Sequence, residues 1–188
     1  MIPTPDLSHL KKQDYDQIYE PAEDTFLLLD ALEEDGENLK ASNPSICLEV
    51  GSGSGCVTSF ISKIIGTAVH TAIVQRLSGK VDVILFNPPY VPTSEEEVIE
   101  AQKYGNIGGA WAGGADGMQV TDVFLGRVER LLSPSGRFYL VALKENNIPK
   151  ICKDMADKYG LESKIVLQRR AGREHLFIIC FTRMGLQD

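Results

Sequence analysis

The chain has 188 residues, 43% of them hydrophobic and 24% charged, which is enough apolar content for the core of one soluble domain and calls for no second one. No apolar run approaches the roughly 20 residues of a membrane span, and Met1-Ile2-Pro3-Thr4-Pro5-Asp6 lacks the basic-then-apolar order of a secretory signal, so a cytosolic or nuclear location is expected. A net charge of −7 argues against tight sequence-independent binding to nucleic acid, which rests on Lys and Arg neutralising phosphates, and suits a basic protein partner better.

In chain order, residues 1–18 read as a flexible N-terminal extension and 19–188 as the folded domain. Pro21 is expected to open a helix with Glu23 and Asp24 in its first turn, where negative charge suits the helix dipole, and with Phe26, Leu27, Leu29 and Leu32 on an apolar side. First-turn capping is the plainest role for Asp24 and Thr25. Ile46 to Val50 is a short buried strand that runs into Gly51-Ser52-Gly53-Ser54-Gly55 and the helix-like Cys56 to Ile65. Strand, glycine turn and helix form the opening unit of a doubly wound sheet, unless the turn is only an αβ corner.

Spacing separates the ligands such a turn could take. No lysine follows until Lys63, against an NTP-binding loop, and the third glycine of a dinucleotide fingerprint is out of place. Glu49 would repel a pyrophosphate and attract a cation; S-adenosylmethionine, with its ammonium and sulfonium, fits better. Beyond the turn, Val69, Ile73, Val74 and Leu77 of Thr67 to Ser78 line one helical face or form a ragged junction.

Val81 to Phe86 is the next buried strand, and it ends in Asn87-Pro88-Pro89-Tyr90. A carboxamide or an exocyclic base amine holds its nitrogen lone pair in conjugation and attacks poorly unless its N–H groups are held by acceptors. The Asn87 side-chain oxygen and the Pro88 carbonyl supply acceptors. Pro88 and Pro89 have no competing N–H and stiffen the backbone, and the Tyr90 ring can lie against a planar group. The bland account is a strand stopped by prolines. Glu95, Glu96 and Glu97 then read as a solvated loop.

Gly105 to Gly117 holds six glycines around the single Trp111 and reads as a flexible, substrate-facing loop, or as a connection with Trp111 tucked onto the core. Met118 to Leu132 is helical, ended by Ser133-Pro134-Ser135-Gly136; Phe138 to Leu143 is a strand, and Asn146 to Lys158 a helix with Pro149 near its start. Ser163 to Arg170 and Glu174 to Thr182 make a closing antiparallel hairpin turned at Ala171-Gly172, which leaves Arg169, Arg170 and Arg173 at a solvated tip. Cys47, Cys56, Cys152 and Cys180 show no paired spacing and are expected as free thiols, without metal or disulfide.

With these motifs the chain resembles the HemK-type class I methyltransferases, specifically the eukaryotic release-factor glutamine methyltransferase catalytic subunits, also described as N-6 adenine-specific DNA methyltransferases. The resemblance runs through Tyr19-Glu20-Pro21-Ala22-Glu23-Asp24-Thr25-Phe26, Leu48 to Gly55, Val81 to Val91, Ala110-Trp111-Ala112-Gly113-Gly114 and Lys144-Glu145-Asn146-Asn147. It implies S-adenosylmethionine as cofactor, held by Thr25, Glu49, Gly51, Gly53 and Asn87, with Asp24 a weaker contact. It implies Asn87, Pro88 and Tyr90 as the catalytic set, and Pro89 and Trp111 beside Asn87 and Tyr90 as substrate contacts. It further implies the glutamine of a Gly-Gly-Gln motif in a class I translation termination factor as substrate, and a small zinc-binding activator subunit as partner. Adenine in DNA or RNA and protein lysine stay open as targets.

The chain departs from that pattern in one place. Between Glu49 and Asp82 there is no Asp or Glu, although a doubly wound nucleotide site places an acid about 20 residues after its glycines to hold the ribose. The span from Gly51 to Asn87 is also too short for two further strands and their helices at about 30 residues per βαβ unit. An internal deletion near 66–80 is expected, which would remove cofactor contacts and the sheet edge where the family's activator docks; a catalytically inactive shortened form is the alternative. The expected fold is a Rossmann-like α/β domain of the class I methyltransferase kind, with a shortened parallel sheet of about five strands and a C-terminal antiparallel hairpin.

Overall fold

A computed structural model describes residues 1–66, 77–94 and 112–185. Val69, Ile73 and Val74 of the expected helical face, Glu95 to Glu97, and the glycine loop through Trp111 lie outside the described residues.

Helices α1 (Glu23–Glu34), α2 (Gly36–Ala41) and α3 (Cys56–Ile65) alternate with strands β1 (Cys47–Val50) and β2 (Val81–Phe86); α4 (Gln119–Leu131), β3 (Leu132–Leu143), α5 (Ile148–Tyr159), β4 (Leu161–Ala171) and β5 (Glu174–Arg183) follow. The strands form one sheet in the order β1-β2-β3-β5-β4. β1, β2 and β3 are parallel, whereas β5 runs antiparallel to both β3 and β4. Parallel neighbours need a crossover, and α3 and α4 supply the two here. Among the described residues β1 pairs with β2 alone and is the outer strand.

Alternation along the strands divides the core in two. Val83, Leu85, Tyr139, Val141 and Ile178 face α1 and α3, while Ile84, Phe86, Phe138, Leu140 and Ile179 face α4 and α5. Because both faces of β2 are covered, its sequence is nearly all apolar. The exception, Asp82, accepts hydrogen bonds from the Ser45 and Ile46 N–H groups and from the Ser133 hydroxyl, tying β1 and β3 to the start of β2. Cys47, Cys56 and Cys180 are buried free thiols and Cys152 is half-buried and free; burial pushes Cys47 and Cys180 up to about 12, so both stay protonated. The N-terminal segment lies along the first core layer through Ile2 and Leu7, and the Ile2 N–H donates to Glu33.

Two expectations are corrected. Pro21 does not open α1, which starts at Glu23 after the extended Ala22. Ser133 to Gly136 does not separate α4 from the next strand: β3 already begins at Leu132. Pro134 is tolerated there because the β2–β3 register jumps from Val81↔Leu132 to Val83↔Arg137, an irregularity that needs no N–H from it. The short α2, which opens on Gly36, carries no apolar period long enough to read.

Candidate active site

In an open parallel sheet, ligands bind beyond the carboxyl ends of the strands. Here those ends carry Glu49 and Gly51 after β1 and Asn87 to Tyr90 after β2, and between them lies a cavity of about 1000 Å³ also lined by Thr25 and Phe124. The glycine turn takes φ of +74°, +47° and +74° at Gly51, Gly53 and Gly55, conformations that side-chain-bearing residues resist. A Cβ at Gly51 would meet nothing within 4 Å, so the backbone there borders open space that a ligand can approach closely.

The centre of the site is Asp24, whose first-turn position in α1 buries it to 3% exposure. One carboxylate oxygen accepts from the Thr25 N–H at 2.7 Å and the Tyr19 hydroxyl at 3.2 Å. The other accepts from Asn87 Nδ2 at 2.9 Å and the Tyr90 hydroxyl at 2.8 Å. Burial, reinforced by the Asp24 charge, holds both tyrosine hydroxyls far above their usual titration range, so they remain donors. With its amide nitrogen turned to Asp24, Asn87 leaves Oδ1 buried and, among the described residues, without a partner.

Glu49, half-buried, is the second carboxylate of the cavity. Burial raises it to about 7, a shift partly countered by the Thr58 hydroxyl, which donates to Oε2. Glu174, at the start of β5, lines the same cavity; burial first and the nearby Asp24 and Glu145 next push its carboxyl up. Among the described lining residues one is basic, Arg127, against the acids Glu49 and Glu174 and the hydrogen-bonded Asp24, so the lining suits a cation.

The Asn87-to-Tyr90 turn is clamped from behind. Asn146 donates through Nδ2 to the Tyr90 carbonyl at 3.0 Å and the Asp116 carbonyl at 3.2 Å, and accepts the Leu143 N–H at 2.7 Å. Gly117 comes so close that a Cβ would sit 2.1 Å from the Tyr90 carbonyl oxygen. Val91 and Thr93 bind Gly113 and Gly114 through backbone hydrogen bonds. The described end of the glycine loop is therefore packed against the site, and its glycines serve close approach instead of the expected flexibility.

Of the residues singled out in the sequence, Thr25, Glu49, Gly51, Gly53, Asn87, Pro88, Pro89 and Tyr90 all border the one cavity. Asp24, Tyr19, Asn146 and Glu174 carry more of the geometry than their sequence signals suggested. Asp24 looked like a helix-capping acid, and nothing local reveals a partner 63 positions away.

No family model matches the chain. Methyltransferase HEMK2 of Mus musculus is 40% identical over 97% of this chain and 97% of its own length. The eRF1 methyltransferase catalytic subunit mtq2 of Schizosaccharomyces pombe is 36% identical over 98% of this chain and 97% of its own. Among solved structures, the E. cuniculi Mtq2-Trm112 complex responsible for methylation of the eRF1 translation termination factor superposes with a TM-score of 0.66 and 25% identity, covering 89% of this chain and 99% of that one. A protein-(glutamine-N5) methyltransferase of Alicyclobacillus acidocaldarius shares the fold, with a TM-score of 0.53 and 19% identity over 93% of this chain and 98% of its own. Fold and site thus define a class I methyltransferase with S-adenosylmethionine as methyl donor. The chain belongs to the HEMK2/Mtq2 family of methyltransferases.

Proposed function

We propose that this chain methylates the side-chain amide nitrogen of a glutamine in a class I translation termination factor, with the Asn87-Pro88-Pro89-Tyr90 turn as its reacting end. The observation that carries the proposal is the buried, unpartnered Oδ1 of Asn87 beside the cavity. An uncompensated buried acceptor costs about 1–3 kcal/mol, and an N–H of the incoming amide would relieve it. The eRF1 named for the fission-yeast and E. cuniculi relatives points to the same substrate class.

Thr25, Glu49, Gly51 and Gly53 would hold the cofactor, Glu49 by attracting its positive charge and the two glycines by letting it approach the backbone. S-adenosylmethionine, when bound, supplies a methyl group on a positively charged sulfur, which leaves readily without acid catalysis. The chain's own task is then alignment and acceptance. Asn87 Oδ1 and the Pro88 carbonyl hold the amide N–H groups, which localises the nitrogen lone pair, and the Tyr90 ring supports the amide plane. The nitrogen gains the methyl group and releases one proton to solvent. No strong base is required.

The comparison with the mouse relative extends over 215 positions, more than the 188 residues of this chain, which supports reading it as internally shortened near 66–80. Val123, 62% exposed on the cavity side of α4, fits the loss of a covering neighbour. The Mtq2-Trm112 complex supports a partner subunit; that it is a small, zinc-binding activator is part of the proposal. Its docking would be weakened here if it uses the edge beyond β1. No helix among the described residues is long and apolar enough to cross a membrane.

The test has two stages. Calorimetric titration with S-adenosylmethionine should give saturable binding, whereas no binding to folded protein would favour the inactive shortened form. A Gly-Gly-Gln peptide should then be methylated by wild type and not by Asn87→Ala of unchanged fold; turnover by that variant sinks the assignment. Steep weakening of substrate binding by salt would instead favour a nucleic acid.

A further inference from the structure

We infer that Asp24 is the positioning residue of this site, the group that decides which end of the Asn87 amide meets the substrate. The inference rests on the proposed transfer to a planar nitrogen and adds what makes Asn87 an acceptor there. An asparagine side chain presents either an oxygen or an NH₂ group, and the two ends have nearly the same shape. An unrestrained amide could turn its NH₂ toward the reacting nitrogen, where it would oppose the substrate's own N–H donors. A carboxylate has no such ambiguity, because it only accepts. Asp24 Oδ2 lies 2.9 Å from Asn87 Nδ2, so the amide nitrogen is drawn to it and Oδ1 is left as the unpartnered atom.

Asp24 is itself held in place. Its other oxygen takes the Thr25 N–H and the Tyr19 hydroxyl, and the Tyr90 hydroxyl shares Oδ2 with Asn87. Five donors on two oxygens, the Thr25 hydroxyl at 3.4 Å among them, leave the carboxylate little freedom to rotate, and they compensate its charge in a site where it is 3% exposed. The same contact with Tyr90 fixes the ring proposed to support the amide plane. Asp24 touches neither reacting atom in this scheme and acts through Asn87 and Tyr90.

Asp24→Asn removes the charge and the acceptor-only character at nearly constant shape. Kinetics and side-chain NMR read the effect separately. A misalignment of about 1 Å costs about 100-fold, so kcat should fall by that order, well beyond any rise in the KM for cofactor. In ¹⁵N-edited spectra of the wild type, the Asn87 side-chain NH₂ pair should exchange with water at least tenfold more slowly than that of exposed Asn43, and the difference should collapse in Asp24→Asn. A control removes a buried tyrosine–aspartate hydrogen bond elsewhere: Tyr139→Phe, which loses the contact with Asp35, should lower thermal stability and leave kcat unchanged.

Wild-type kcat in folded Asp24→Asn, or an Asn87 NH₂ pair in the wild type that exchanges as fast as that of Asn43, overturns the inference. If Asp24→Asn does not fold, the wild-type exchange measurement alone decides. If wild type fails to methylate the glutamine peptide, the proposed substrate falls, and the NMR comparison still tests the hold of Asp24 on Asn87.

Discussion

Replacing Gly117 by alanine tests the clamp behind the reacting turn. Its φ is +72°, and an added Cβ would lie 2.1 Å from the Tyr90 carbonyl oxygen, 2.5 Å from Asn146 Nδ2 and 2.9 Å from the Tyr90 carbonyl carbon. The left-handed backbone costs an alanine about 1–2 kcal/mol. Two of the three contacts are backbone atoms that cannot swing aside, so relieving the overlap must move Tyr90 and break its 3.0 Å bond from Asn146, adding about 1 kcal/mol for the bond and 1–3 for the displacement. The whole is about 3–6 kcal/mol, and a shift of the turn near 1 Å lowers turnover about 100-fold. Gly172→Ala is the matched control: φ is +60° at the hairpin turn, with nothing within 4 Å of the new methyl group. Urea unfolding of the two variants isolates the steric part. Equal destabilisation, with turnover kept by Gly117→Ala, refutes the clamp.

Glu49 gives two pH dependences of opposite sign. Its folded-state value, raised to about 7, lies above the unfolded one, so its stabilising contribution is full below about 4.5 and lost as pH rises through 7; the unliganded wild type should lose more urea resistance between pH 5 and 8 than Glu49→Gln does. Cofactor affinity should rise over the same range, because the ionised form attracts the cation, and should flatten in Glu49→Gln; calorimetry at the two pH values checks both. Asn146→Ala strands two carbonyls and one N–H and should cost about 2–4 kcal/mol together with most of the turnover. Arg183→Ala loses bonds to the Glu129 carboxylate and to the Glu129 and Leu132 carbonyls; it should cost about 2 kcal/mol by thermal unfolding with kcat unchanged.

What the sequence revealed is what short-range pattern encodes. β1, the glycine turn, α3 and β2 follow from an apolar run, a change of period and a tetrapeptide rich in proline, and α3 and β2 fall on the expected residues. The hairpin of β4 and β5 follows from two β-rich runs around Gly172. What it hid depends on contacts between distant segments. Asp24 reads as a dipole partner until α1 is docked beside the end of β2, and Gly117 reads as loop punctuation until the backbone of Tyr90 is seen against it. The start of β3 was hidden because Pro134 argues for a turn, and only the register jump opposite Val83 lets a strand hold it.

The reacting end and the nucleoside end of such a site draw on different parts of the sheet. Asp24 and Thr25 come from α1, Glu49 from β1, Asn87 to Tyr90 from the end of β2, and Asn146 from the end of β3; the proposed shortening near 66–80 removes none of them. A ribose acid would come from beyond the glycine turn, and there the chain has no Asp or Glu before Asp82. Affinity and chemistry should therefore separate. Interactions lost equally in the ground state and the transition state raise KM and leave kcat in place. Steady-state kinetics beside the mouse relative should give a raised KM for S-adenosylmethionine, with kcat at saturation within about tenfold. A kcat lost in folded, saturated protein would mean that Asn87 and Asp24 depend for their alignment on the strands that the proposed shortening removes, and the separation would fail.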